Sequence, residues 1–139
     1  KNLYATYVSY LPKNKRISTI KVIRDNRGSF AEMLKNKSFG QISLLKIKIN
    51  QSRGNHFHNT KIEKFFVISG KAEFKIRNLT ANVDETYLIN EKNNIFYEMP
   101  PGHLHSIKNV GNKELIIIIW SSEIYDKKKP DTLFINNEN

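Results

Sequence analysis

Residues 53–70 read RGNHFHNTKIEKFFVISG, and residues 99–111 read MPPGHLHSIKNVG. All 4 histidines of the chain fall in these two segments, as His56 and His58 in the first and His103 and His105 in the second. On an extended strand, residues two apart face the same way with roughly 7 Å between their backbones, so a His-x-His pair can turn both imidazoles toward one ion. Glu63 follows His58 after a turn over residues 59–62 and stands just ahead of the apolar run 65–68, from which it can face back toward the pair. Imidazoles and a carboxylate suit Zn²⁺, Fe²⁺, Mn²⁺ or Ni²⁺, and three or four protein ligands leave positions open for water or substrate. A metal-free barrel that uses histidine as a base is the competing reading.

Outward from these segments the chain reads as short strands. Residues 42–49 alternate Lys46 and Lys48 with Leu45, Ile47 and Ile49, and Ala72, Phe74 and Ile76 alternate with Lys71, Glu73, Lys75 and Arg77. That period of two predicts strands with one buried face. Residues 64–68 and 115–120 are apolar nearly throughout, which predicts strands covered on both faces. Turn signals fall at residues 25–28, Gly40, 51–54, Gly70, 90–94, 100–102 and 111–112. Many short strands at this spacing argue for an all-β barrel or sandwich. Ahead of them, Leu3, Tyr4, Tyr7, Val8 and Leu11 recur at helical spacing and Pro12 closes the segment, predicting a short helix. We therefore expect a helical and linker segment over 1–16 and a single β domain over 17–139.

Composition narrows the function classes. A length of 139 residues, 39% of them hydrophobic and 26% charged, suits one folded domain. The absence of cysteine excludes disulfides and thiolate chemistry, so any metal must be held by nitrogen and oxygen. The longest apolar run, residues 115–120, is too short to cross a bilayer, and nothing at the start resembles a signal peptide. A cytoplasmic protein with no membrane partner is expected. The net charge of +10 comes mostly from scattered lysines, with one run at Lys127, Lys128 and Lys129 beside Pro130. This is the pattern of a solvated surface; with no helix-turn-helix in view, no nucleic-acid partner is expected.

The pattern His56-x-His58-x₄-Glu63-x₆-Gly70 resembles the first cupin motif, and Pro100-x-Gly102-x₂-His105-x₃-Asn109 resembles the second, with Asn94 where a glycine often stands. The resemblance implies a jelly-roll (double-stranded β-helix) barrel in which His56, His58, Glu63 and His105 hold a divalent metal. A narrower similarity, carried by residues 3–12 (LYATYVSYLP), 25–33 (DNRGSFAEM), 53–70, 99–111 and 120–132 ending in KKKPDT, is to the C-terminal cupin domain of CapF-type enzymes. These are bifunctional reductase/epimerases of UDP-sugar metabolism in capsular polysaccharide and O-antigen synthesis. The resemblance implies a zinc-dependent epimerase acting at carbon 3 of a UDP-2-acetamido-4-keto-6-deoxyhexose, partnered by a reductase domain or subunit.

Two departures stand out. No nucleotide-binding glycine motif lies in these 139 residues, and Tyr125-x₃-Lys129, which has the spacing of a reductase active site, has no Rossmann unit before it. Ser121, Ser122 and Glu123 follow Trp120 where the family suggests Ala-Asn-Glu. Candidate acid/base groups near the motifs are His103, Tyr97, Glu98 and Lys61; Arg53 and Lys61 are candidates for binding the substrate diphosphate. A homodimer is expected from the apolar groups in both terminal segments, Tyr4, Tyr7 and Tyr10 at one end and Leu133, Phe134 and Ile135 at the other, unless these cover their own barrel. The competing functions are a non-catalytic barrel that binds a small ligand and another metal cupin enzyme, a sugar isomerase or an oxygenase.

Overall fold

The computed structural model describes residues 2–135. Helix α1 (Asn2–Tyr10) precedes strands β1 (Val22–Asp25), β2 (Gly28–Asn36), β3 (Gly40–Ile47), β4 (Ser52–Phe57), β5 (Glu63–Ser69), β6 (Lys71–Asn78), β7 (Val83–Asn90), β8 (Phe96–Met99), β9 (His103–Asn109), β10 (Leu115–Ser121) and β11 (Leu133–Phe134). One sheet has the order β1-β2-β3-β10-β5-β8, the other β11-β4-β9-β6-β7. The pairings are antiparallel, with β10 between β3 and β5 and β9 between β4 and β6. This is the jelly-roll barrel the sequence leads one to expect. Among the described residues no helix is long and apolar enough to cross a membrane.

Alternation sends every second residue inward, and the inward rows change character along their length. On β3 they run from Ile47 and Leu45 to Ser43 and Gln41, on β10 from Leu115, Ile117 and Ile119 to Ser121, on β5 from Val67 and Phe65 to Glu63. Register aligns the polar ends, pairing Ser121 with both Gln41 and Glu63. The barrel therefore has an apolar body, built around Phe74, Ile47, Leu115 and Ile117, and one polar end. Each such side chain taken out of water stabilises the fold by about 1.5–3 kcal/mol before entropy is counted. Asn109, fully buried, braces the apolar end by donating to the carbonyls of Ile47 (2.9 Å) and Lys113 (2.8 Å).

Three expectations need correction. The strands over residues 64–68 and 115–120 are not covered on both faces: Phe66, Ile116 and Ile118 are half-buried and Ile68 is exposed, because two facing sheets bury one side each. The turn expected over residues 51–54 lies earlier, where Gln51 N–H donates to the Lys48 carbonyl and Asn50 has a φ of 61°. Gly54 is thus inside β4. The two terminal segments also differ: Leu133 and Phe134 pair with β4 of their own barrel, whereas Leu3, Tyr4, Tyr7 and Tyr10 on α1 stay exposed. Arg16 closes α1 from behind, its guanidinium donating to the carbonyls of Leu11 and Ser9.

Candidate metal centre

The first His-x-His pair is not carried by a regular strand. Gly54 (φ 96°) and Asn55 (φ 62°) take left-handed conformations, and the pairing of β4 with β9 slips between Gly54 and His56. A Cβ on Gly54 would stand 2.8 Å from the His105 carbonyl oxygen, so glycine permits both the conformation and the close approach. Such a bulge re-aims the residue beyond it. His56 ends up opposite His105, with ring centroids 4.6 Å apart, while His58 lies just past the end of β4 with its ring centroid 5.0 Å from that of His56. The His58 carbonyl accepts the Gly102 N–H at 2.8 Å, which ties the first motif to the turn of the second.

The structure brings His56, His58, Glu63 and His105 together, with one nitrogen or oxygen of each within 4.8 Å of all the others. Hydrogen bonds assign the ring atoms that face this centre. His105 donates through Nδ1 to the His103 carbonyl at 3.1 Å, and His58 donates through Nδ1 to the Asp131 carbonyl. Both rings therefore turn Nε2 inward. Glu63 Oε2 lies 3.3 Å from His58 Nε2 and 3.7 Å from His105 Nε2. His58 Nε2 is buried without a hydrogen-bond partner. Three imidazoles and one carboxylate turned toward one buried place are a donor set that fits a divalent transition metal.

Electrostatics keeps the donors in their ligating forms. Burial, with the neighbouring His105 and His58, pushes His56 down to about 4, and burial lowers His105 as well. For Glu63 burial favours the neutral acid, but the adjacent His58 and the Lys61 ammonium outweigh it and hold the carboxyl down at about 2. Near neutral pH, His56 and His105 are thus uncharged and Glu63 is ionised without any metal.

A cavity of about 340 Å³ opens onto the cluster, within the usual range of small-molecule sites. Of the other residues singled out in the sequence, Lys61 and Arg53 line it. Lys61 is buried with its ammonium 3.8 Å from Glu63 Oε1, and Arg53 at the rim donates to Asp25 at 2.7 Å. His103, Tyr97 and Glu98 do not line the cavity. His103 donates to the Pro101 carbonyl, Tyr97 packs on Phe74 and Tyr87, and Glu98 pairs with Lys64 on an exposed face. The structure places these three away from the cavity, His103 at the start of β9, Tyr97 against the core and Glu98 on the outer face.

The structure gives contacts to residues that the sequence named without assigning them a role in the site. Ser121 donates to Glu63 Oε1 at 2.9 Å, leaving Oε2 for the centre, and Ser122 donates its N–H to the Ile62 carbonyl while accepting the Ile62 N–H on Oγ. The two serines that depart from the family pattern therefore fix the entry to β5 from both sides. Glu123 and Tyr125 line the cavity wall, and both share an adjoining pocket with Lys61 and Lys129.

Comparison with known proteins agrees with this architecture. The family described as polysaccharide biosynthesis C-terminal domain matches residues 23–133. A Pseudomonas aeruginosa protein named UDP-2-acetamido-2,6-beta-L-arabino-hexul-4-ose reductase is 38% identical over 130 residues, 94% of this chain and 35% of that protein. The Bacillus subtilis spore coat polysaccharide biosynthesis protein SpsL is 26% identical over 117 residues, 77% of this chain and 78% of that one. The crystal structure of the capsular polysaccharide assembling protein CapF from Staphylococcus aureus superposes with a TM-score of 0.88 at 36% identity, covering 96% of this chain and 37% of that one. The chain thus spans about a third of the Pseudomonas and Staphylococcus proteins. Since the match runs from β1 to β11, the chain belongs to the polysaccharide biosynthesis C-terminal domain family, as a cupin barrel of the CapF type.

Proposed function

We propose that this barrel is a metal-dependent epimerase of sugar-nucleotide metabolism, inverting carbon 3 of a UDP-2-acetamido-4-keto-6-deoxyhexose, with zinc as the ion. The observation that carries the reading is the convergence of three imidazoles and one carboxylate at the cavity, two of the imidazoles with Nδ1 committed to a carbonyl. The name of the Pseudomonas relative supplies the substrate class, since a hexul-4-ose has its ketone at carbon 4. Carbon 3 is next to that ketone and its proton is correspondingly acidic. A divalent metal held by His56, His58, Glu63 and His105 would supply Lewis acidity toward the ketone oxygen.

The chain's own groups do the rest. Epimerisation removes the proton from carbon 3 and returns one to the opposite face, with no net oxidation. Lys61 is the acid/base candidate from the first motif that borders the cavity, and Tyr125 and Glu123 stand on the wall beside it. Proton exchange by Lys61 and Tyr125 is the assignment we favour. Arg53, at the rim, is suited to the diphosphate. Reduction of the ketone falls to a separate domain or subunit, since a hydride donor needs a nucleotide site. A homodimer formed through the exposed α1 face, in a cytoplasmic setting, completes the reading.

Incubation of the purified chain with the 4-keto UDP-sugar in deuterated water tests it, with carbon 3 followed by NMR and the metal by elemental analysis. Label should enter with the wild type and be lost with His56→Ala and His105→Ala. Undiminished labelling in those variants overturns the metal-dependent mechanism.

A further inference from the structure

The segment after the lysine run lies against the first motif residue by residue. Phe134 pairs with His56 and Leu133 with Phe57 in β11 and β4, and the Phe134 ring stands edge-on to the His56 ring at 5.8 Å. Asp131 then contacts the next four residues. Its carbonyl accepts the Nδ1 proton of His58. Its carboxylate accepts the N–H of Asn59 on Oδ1 (2.8 Å) and the N–H groups of Thr60 (3.0 Å) and Lys61 (2.9 Å) on Oδ2. The Thr60 hydroxyl adds a bond at 3.2 Å.

Successive backbone N–H groups turned to one side form a concave anion site. Here the anion belongs to the same chain, 70 positions further on than Lys61. Filling that site closes the turn that separates His58 from Glu63, and it brings the Asp131 carbonyl to the His58 ring in the same step. We propose that Asp131 is a positioning residue of the metal centre: by docking its carboxylate in the 59–61 turn it fixes His58 as the tautomer with Nε2 free, and so sets metal affinity. This rests on the metal reading above.

Zinc binding by the full chain, measured by competition with a chromophoric chelator, and the ¹⁵N imidazole shifts of His58 in the metal-free protein test the proposal together. A mere brace for the turn would cost stability and leave both readouts alone. We expect wild-type His58 to carry its proton on Nδ1. In Asp131→Ala it becomes a tautomer mixture and zinc affinity falls about 10–100-fold, the range for outer-shell partners of a metal ligand. Asp131→Asn, which keeps one acceptor oxygen, falls between, and it decides by the same readouts if Asp131→Ala does not fold. Asp126→Ala, in the same segment and accepting the Lys128 N–H, matches the wild type. Unchanged affinity and tautomer in the Asp131 variants overturn the proposal. If the wild type takes up no zinc, the metal reading fails instead, and the His58 tautomer alone decides the role of Asp131.

Discussion

The two segments that supply the candidate ligands are held in opposite ways. In β9 the arrangement is local: His105 leans on the His103 carbonyl and His103 on the Pro101 carbonyl, all within one short stretch of backbone. In the first segment it is remote, since His58 leans on a carbonyl 73 positions away and Glu63 on Ser121, 58 positions away. A local contact forms with its strand, whereas a remote one must first meet the entropy of closing a long loop. The second-motif ligand is therefore set by its own strand, while the ligands of the first motif are products of barrel closure.

Removing a ligand tests the comparison hardest. His58→Ala and His105→Ala should each weaken zinc by more than about 100-fold, beyond the range of outer-shell changes, in chelator competition; near-wild-type binding by either would remove that residue from the centre. A pH effect comes next. Unfolded His56 takes up its proton near 6.5 but in the barrel only near 4, because burial and its histidine neighbours oppose the charge. Between those values the unfolded chain binds the extra proton, so metal-free stability rises with pH across that window. At about 1.4 kcal/mol per unit, the rise is on the order of 3 kcal/mol. The Glu63 contribution is lost lower, as pH falls from 4.5 toward about 2, so His56→Gln should flatten only the upper window in urea titrations.

Smaller effects separate the two kinds of support. Ser121→Ala frees Glu63 Oε1 and should weaken zinc by roughly 10-fold, the low end of the outer-shell range. His103→Ala should leave zinc affinity unchanged, because His105 uses the backbone carbonyl of residue 103 and not its ring. A large loss with His103→Ala would mean that the local segment is also held through side chains.

Legibility followed the same division. The strand periods, the short N-terminal helix and the grouping of all histidines into two segments are written in neighbouring residues and could be read there. Gly54 could be recognised as special, yet its place in a bulge rather than a turn depended on its register with β9. Ser121 and Ser122 read as a departure of doubtful role, because nothing near them in sequence reveals that they face Glu63 and Ile62. His103, Tyr97 and Glu98 looked eligible by proximity to the motif, but closeness along a chain of period two does not determine which cavity a side chain meets.

The sequence by itself determined an all-β fold and a nitrogen and oxygen donor set, since alternation and residue chemistry are local properties, and its resemblance to the cupin motifs named the four ligands. Only the tertiary structure decided which ring nitrogens face the centre, that Lys61, Ser121, Glu123 and Tyr125 share its walls, and that Asp131 reaches back to it. Those facts depend on hydrogen-bond partners brought together by strand pairing, and a partner 70 positions away leaves no periodic trace in the residues it will touch.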